Sequence, residues 1–169
     1  MTIQAPHTLS LEPDGAIPNS PLPVLVYHGV ELAGDPGRAE AAFASNGWWG
    51  SWRNGIYPFH HFHSTAHEVL AIVAGQASVA LGGPDGQTVT LQHGDVVVLP
   101  AGTGHCRRDA SDDLLVVGAY PEGMDWDLRR GDPGEHDEVM ANIAAVPLPG
   151  SDPVHGPGGP LTALWRSEA

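Results

Sequence analysis

Short apolar runs separated by turn residues dominate the central part of the chain. In residues 87–92, Val89 and Leu91 fall on one face of an extended chain while Thr88 and Thr90 fall on the other. This alternation has the two-residue period of a half-buried strand. Together with five further segments of strand character, it predicts strands in residues 68–75, 76–83, 87–92, 95–100, 105–110 and 113–120. Regular short strands joined by glycine- and proline-rich turns predict an antiparallel β-sandwich or β-barrel.

Two segments outside this region have helical rather than strand character. Asp35 offers an N-cap oxygen, and Pro36 suits the first position of a helix. The alanine-rich run behind them ends at Asn46 and Gly47, which form a C-cap signal. Residues 135–145 place apolar side chains at helical spacing. We therefore expect a short N-terminal helix and a second helix after the strands.

The segments that flank the predicted strands are rich in proline and glycine. Residues 1–23 predict an extended arm, and Val24–Val30 predicts a short edge strand that docks on the barrel or on a partner subunit. Residues 146–165 predict a tail wrapped over the barrel or across a dimer interface. Because a small barrel covers the apolar residues of these segments only partly, we expect a homodimer.

The length of the chain predicts one domain, since 169 residues suffice for a single hydrophobic core. Its 22 glycines and 16 prolines favour short strands and turns over long helices. Within one domain over residues 1–169 we distinguish three parts. These are an N-terminal arm, strand and helix (1–54), a barrel core (55–120), and a C-terminal helix with a wrapping tail (121–169).

The charged residues are strongly biased towards acids. The net charge is −13, from 20 acidic residues against seven arginines, and there is no lysine. Such a surface repels nucleic acid and anionic membranes, so neither is expected as a partner. The absence of lysine excludes Schiff-base chemistry, a resident pyridoxal phosphate and a phosphate-loop lysine.

The single cysteine and the N-terminal residues indicate in which cellular compartment the protein is expected. Cys106 has no partner for an internal disulfide, which fits a reducing compartment. We expect its side chain to pack as a small buried apolar group rather than to act as a nucleophile. The first ten residues have neither a basic start nor an apolar run, and no apolar stretch approaches the length of a membrane span. We therefore expect a cytoplasmic protein.

The residues with the clearest chemistry lie around two glycine-bounded stretches. Between Gly55 and Gly75 lie His61, His63 and Glu68. Because alternate side chains of a strand share a face, His61 and His63 can bind one ion together, while the neighbouring His60 faces away. Two imidazoles and one carboxylate, with a third histidine from the second stretch, suit a first-row transition metal.

The second stretch contributes that further histidine after a turn-rich loop. It begins at Gly94, continues through Pro100 and Gly102, and reaches His105. The spacings of both stretches match the two motifs of the cupin superfamily, except that Asp109 stands where the second motif ends in asparagine. The flanking segments, among them 17–30, 46–57 and 111–121, resemble the YjlB-like group of single-domain bacterial cupins.

This resemblance implies a fold and a ligand set. The fold is all-β, a double-stranded β-helix or jelly-roll barrel, with the short N-terminal helix and the C-terminal helix and extended tail added to it. The implied ligands are His61, His63, Glu68 and His105, and they would hold one divalent transition-metal ion, Fe, Mn, Ni or Zn. The alternative is a cupin that has kept the pocket and lost the ion. The residue at position 109 is not a ligand in the motif, so its replacement leaves the site intact.

Five further residues are candidates for the lining of a pocket. Tyr57 and Phe59 share the strand face of His61, and Arg107 shares the face of His105, where it could pair with a substrate carboxylate. A salt bridge to one of the many acids is the alternative role for Arg107. Trp52 belongs to a tryptophan-rich segment that either packs in the core under a mobile loop or walls the pocket. His67 precedes Glu68 and would face outward on a strand, or could bind a substrate from a loop.

The sequence leaves more than one function open. A metal with open coordination positions favours an oxygenase, isomerase or lyase that acts on a small polar molecule. A non-catalytic cupin that binds or senses a small ligand, with a structural metal, is the alternative. Because one fold hosts many chemistries, the resemblance does not select between them.

Overall fold

The structure is a computed structural model that describes residues 3–168. Met1, Thr2 and Ala169, which belong to the predicted domain, lie outside the described residues. Antiparallel strands make up most of the fold: β1 (His7–Leu9), β2 (Val24–Tyr27), β3 (Trp48–Asn54), β4 (Glu68–Ala74), β5 (Gln76–Leu81), β6 (Gln87–Gln92), β7 (Val96–Leu99), β8 (His105–Ala110) and β9 (Leu115–Pro121). Three helices join them: α1 (Pro36–Ser45), α2 (His136–Ala145) and α3 (Pro160–Glu168).

The strands form two facing sheets, the jelly-roll arrangement that the sequence predicted. One sheet has six strands in the order β1-β2-β7-β4-β9-β3, and the other has three in the order β6-β5-β8. All pairings are antiparallel. The neighbours β7-β4-β9 are distant in sequence, so the sheet is held by long-range contacts. The predicted all-β barrel is confirmed.

Apolar side chains form two large cores, one on each face of the six-stranded sheet. The inner core lies between the sheets and includes Ile72 of β4 and Val79 of β5. The outer core lies under the helices and includes Val69 of β4, Phe43 of α1 and Trp165 of α3. Both faces of β4 are therefore buried, which explains why its sequence is an apolar run without alternation.

Helix α1 begins and ends where the sequence predicted. The Asp35 carboxylate accepts a hydrogen bond from the Arg38 N–H (2.9 Å), Pro36 occupies the first turn, and Asn46 is the C-cap. Helix α2 also lies in the predicted segment. Both helices are confirmed.

The structure differs from the prediction in three flanking segments. Val24–Tyr27 is not at the sheet edge, because β1 in the predicted arm pairs with its outer side. The tryptophan-rich segment is the edge strand β3 rather than a loop. The tail ends in the helix α3, which buries Leu161 and Trp165 in the outer core. Strand pairing and burial override the proline and glycine signals here.

These contacts weaken the argument that led to a predicted dimer. Several apolar residues of the arm, of β2 and of the tail, such as Leu9, Leu25 and Trp165, are buried within one chain, while Ile3 and Leu148 are exposed. The homodimer stays a prediction. None of the helices in the described range is both long and apolar enough to cross a membrane.

Candidate metal centre

His61 and His63 lie in an extended segment joined to the barrel on both edges. The His61 N–H donates to the His105 carbonyl (3.2 Å), and the His105 N–H donates back to the His61 carbonyl (2.9 Å). Phe62 exchanges a similar pair of hydrogen bonds with Arg129 (2.9 and 3.0 Å). The segment forms isolated bridges rather than the predicted regular strand, but its side chains alternate in the same way.

The alternation brings three imidazoles together inside the barrel mouth. One ring nitrogen from each of His61, His63 and His105 lies within 4.8 Å of the others. Glu68, at the start of β4, places Oε1 3.4 Å from His63 Nε2 and 3.5 Å from His105 Nε2. The four residues are at most 6% exposed. The structure thus brings all four predicted ligands to one buried point.

The backbone sets the tautomer of each histidine in the cluster. Each Nδ1 faces a backbone carbonyl: His61 that of Phe59 (2.9 Å), His63 that of Asp127, and His105 that of Thr103 (3.0 Å). A carbonyl can only accept, so each Nδ1 carries the hydrogen. In the neutral rings each Nε2 therefore has a free lone pair. A hydrogen bond from the other ring nitrogen, here Nδ1, to a backbone carbonyl is typical of histidines that bind metals.

Glu68 is oriented by a tyrosine that the sequence analysis did not single out. The Tyr120 hydroxyl donates to Glu68 Oε2 (2.9 Å), and Trp52 Nε1 donates to the Tyr120 hydroxyl (2.8 Å). The pairing of Leu70 with Gly118 places Tyr120 across from Glu68 on the inner face. Only the register between β4 and β9 reveals this contact.

The protonation states in the cluster are strongly coupled. Burial favours the neutral acid of Glu68, but the charge and hydrogen bonds of His63 and His105 outweigh it and lower its pKa. Burial would also lower the pKa of His63, but the Glu68 carboxylate raises it above the usual range. Burial, then repulsion by His105, lowers the pKa of His61 to about 3. The buried anion of Glu68 thus favours the protonated form of His63, whereas His61 stays neutral.

The loop after β9 supports the cluster from the side of His63. The Asp127 carbonyl accepts from His63, and the Asp127 carboxylate accepts from the Ser64 N–H (2.6 Å), the Ser64 hydroxyl and Arg129 Nε (2.8 Å). Burial would raise the pKa of Asp127, but the bonds from Arg129 and Ser64 lower it. The Trp126 ring, which is partly exposed, lies 5.2 Å from the His63 ring. The sequence analysis singled out none of these loop residues.

Three of the five pocket-lining candidates, Tyr57, Phe59 and Arg107, occupy the other side of the cluster. The rings of Tyr57 and Phe59 lie 5.3 and 5.4 Å from the His61 ring and stack on each other at 4.9 Å. Arg107 lies two residues beyond His105 on β8, on the same strand face, and its N–H donates to the Tyr57 carbonyl (3.0 Å). These three residues therefore adjoin the cluster.

Two histidines beside the ligands do not join them. The His67 ring lies 4.8 Å from Trp165 of the outer core, and both of its nitrogens bond the backbone, at Ala101 N (2.9 Å) and Pro147 O (3.1 Å). The structure therefore does not bring His67 to the pocket, because it lies on the opposite sheet face. His60 also lies apart from the cluster, with a pKa lowered by burial and then by the charge of Arg108.

A cavity of 330 Å³ lies elsewhere, between the arm and α2. Phe62 and Val139 form its apolar lining, and Glu135 is among its polar residues. None of the four clustered side chains lines it. The cavity is therefore separate from the cluster of His61, His63, Glu68 and His105.

Three solved structures resemble this chain distantly. A DUF861 family protein of Thermotoga maritima matches 56% of this chain and 96% of its own, at 18% identity and a TM-score of 0.39. Acireductone dioxygenase of Bacillus anthracis matches 50% of this chain and 58% of its own, at 20% identity and 0.38. Oxalate decarboxylase of Bacillus subtilis matches 68% of this chain and 28% of its own, at 19% identity and 0.40. Scores this low support no conclusion about activity.

Comparison at the level of sequence is more decisive. Residues 53–117 match the family described as Cupin domain. The "Uncharacterized protein YjlB" of Bacillus subtilis (strain 168) is 40% identical over 153 residues, which are 90% of this chain and 92% of the relative. The matched family segment contains all four clustered residues. The chain belongs to the cupin superfamily and, within it, to the YjlB-like group.

Proposed function

We propose that this protein binds one divalent transition-metal ion through His61, His63, Glu68 and His105 and is a metal-dependent enzyme acting on a small polar molecule. The observation that carries the proposal is the common orientation of the three imidazoles. Each Nδ1 is bonded to a backbone carbonyl, so each neutral ring offers a lone pair on Nε2, and the Nε2 atoms of His63 and His105 lie beside Glu68 Oε1. An arrangement required only for packing would not need all three rings to have this tautomer.

The donor set fits a transition metal by its chemistry. Three neutral nitrogens and one carboxylate suit Fe, Mn, Ni or Zn, and the carboxylate would offset part of the ion's charge in a buried site. When bound, such an ion supplies Lewis acidity or redox chemistry at its remaining coordination positions, which is the chemistry of oxygenases, isomerases and lyases. Four protein donors would leave room for a small chelating molecule.

Residues around the cluster would bind and orient that molecule. Tyr57 and Trp126 are partly exposed and lie against His61 and His63 respectively, so a substrate that reaches the cluster would pass these rings. Phe59 packs behind Tyr57. Arg107 shares the face of His105 and would pair with a carboxylate if the substrate carries one.

A second function is favoured by the burial of the cluster. The four side chains are at most 6% exposed, and a site closed in this way also suits a structural metal in a cupin that binds a small ligand without turnover. The two functions differ in a measurable property, because only an open site lets a small anion such as azide coordinate a bound Co²⁺ and change its visible spectrum.

Metal content of matched histidine variants tests the proposal. His61→Ala removes one of four donors and should abolish most binding of the co-purifying metal, measured by plasma mass spectrometry on purified protein. His60→Ala is the control, since it changes an identical neighbouring residue that lies apart from the cluster. Equal losses in the two variants, or a larger loss in His60→Ala, would overturn the ligand set.

Turnover is tested after the metal is known. Oxygen consumption by the metal-loaded protein with a panel of small hydroxy- and keto-acids would support the oxygenase branch. Loss of substrate without oxygen consumption would support an isomerase or lyase. Binding of a panel member without any chemical change would select the ligand-binding alternative.

A further inference from the structure

We propose that Tyr120 is a positioning residue that commits Glu68 to the role of a one-oxygen metal ligand, an inference that rests on the metal-binding function proposed above. The Tyr120 hydroxyl donates to Glu68 Oε2 (2.9 Å). The other oxygen, Oε1, is the one that lies near His63 Nε2 (3.4 Å) and His105 Nε2 (3.5 Å). The two oxygens of one carboxylate thus have separate partners.

The need for such a partner follows from the burial of Glu68. Its side chain is 4% exposed, so water offers little to its second oxygen. An ionised carboxylate with one oxygen unpaired in such a place is costly, whereas a hydroxyl donor satisfies it. The hydrogen bond also opposes rotation of the carboxylate, which would otherwise exchange the two oxygens or turn both towards the ion. Tyr120 would therefore keep a single oxygen of Glu68 directed at the ion. The carboxylate would then occupy one coordination position and leave others for substrate.

The hydroxyl of Tyr120 is itself held in this orientation. Trp52 Nε1 donates to it (2.8 Å), so the oxygen accepts from Trp52 and its proton points to Glu68. The Trp126 ring stacks on the Tyr120 ring at 6.3 Å and 17°. Both neighbours restrict the rotamer of Tyr120.

A glycine makes room for this arrangement. A Cβ at Gly118 would lie 2.3 Å from two carbons of the Trp52 indole, so the indole can cross β9 only where a residue has no side chain. Gly118 and Tyr120 are two residues apart on one strand face, opposite Leu70 and Glu68 of β4. Gly118 therefore makes room for the Trp52 indole, and Tyr120, two residues later, donates the hydrogen bond to Glu68.

A second tyrosine in the chain provides a matched control. The Tyr27 hydroxyl donates to the buried Asp152 carboxylate, which also accepts from the Leu161 N–H (3.0 Å) and ties α3 to the sheet. Tyr27 and Tyr120 thus make the same kind of bond to a buried acid. Asp152, however, lies outside the metal cluster, so removal of the Tyr27 hydroxyl should affect stability and leave metal affinity unchanged.

The test compares Tyr120→Phe, Trp52→Phe and Tyr27→Phe with the parent, each loaded with Co²⁺ from the metal-free form. Loss of a residue that orients a ligand typically weakens metal binding by about 10- to 100-fold, and we expect a loss in this range for Tyr120→Phe. Its visible Co²⁺ spectrum should change as Glu68 rotates. Trp52→Phe should show a smaller loss in the same direction, and Tyr27→Phe should bind as the parent does but melt at a lower temperature.

Two results would overturn the inference while leaving the proposed function intact. One is a Tyr120→Phe variant with the affinity and spectrum of the parent. The other is a Tyr27→Phe variant that loses as much affinity as Tyr120→Phe, because the effect would then be structural. If Tyr120→Phe fails to fold, Trp52→Phe decides, and parent-like Co²⁺ binding there overturns the inference. A parent that binds no Co²⁺ would overturn the proposed function and this inference with it.

Discussion

His67 should make the stability of the protein depend on pH below neutrality. Its Nδ1 accepts a hydrogen bond from the Ala101 N–H (2.9 Å), and its Nε2 faces the Pro147 carbonyl (3.1 Å). The ring therefore carries one hydrogen, on Nε2, and is neutral. A second proton would enter at Nδ1 and break the bond to Ala101. Burial lowers the pKa of His67 to about 4, although the bond to Pro147 opposes the shift.

The sign and size of the effect follow from the difference between the folded and unfolded pKa. The unfolded ring titrates near its usual value, about 6.5. Because the folded pKa lies below this value, the unfolded state binds more protons, and stability falls as pH drops. The contribution is fully present above the unfolded pKa. From pH 8 to pH 5 it should fall by about 2 kcal/mol, and by about 3 kcal/mol once the pH is below 4.

Urea unfolding of the metal-free protein at pH 8 and pH 5 measures this loss. His67→Asn should lose about 2 kcal/mol less than the parent between the two pH values, because asparagine does not titrate and its oxygen can still accept from Ala101. The other histidines change the stability of the parent and of His67→Asn equally, so their contributions cancel in this comparison. His93→Asn, at an exposed site, should behave as the parent does. Equal losses in the parent and His67→Asn would refute the reasoning.

Two further predictions concern the metal and its loop. Removal of the metal by a chelator should lower the melting temperature without unfolding the domain, since an ion at 1,000 times its Kd adds about 4 kcal/mol to the free energy of unfolding. Calorimetry measures the melting temperature, and far-ultraviolet circular dichroism checks that the domain stays folded. An unchanged melting temperature would contradict the prediction. Gly102→Val should weaken metal retention although it changes no ligand, because Gly102 has a φ of 95° and a Cβ would lie 2.6 Å from the Asn19 carbonyl. Gly55→Val, where a Cβ meets nothing within 4 Å, is the control, and equal metal content in the two variants would count against the loop's role.

The sequence by itself determined the six strands of residues 68–121 and the candidate ligands, because both depend on local spacing. Short β-rich segments bounded by turns predicted these six strands, and each is present. Side-chain alternation placed His61 and His63 together and His60 apart even though the segment forms only isolated bridges. Strand geometry sends alternate side chains to opposite faces whatever the partner, so this inference needed no tertiary information.

Only the tertiary structure decided what surrounds the ligands. Tyr120 meets Glu68 through the register of β4 with β9, and the Asp127 carbonyl meets His63 across 64 positions of sequence. The same holds for the edge strand at Trp48–Asn54 and for the helix α3, where pairing with β9 and burial of Trp165 outweigh local signals that indicated a loop and a tail. Such contacts depend on which distant segments bury their apolar faces together, and no local spacing in the sequence encodes that choice.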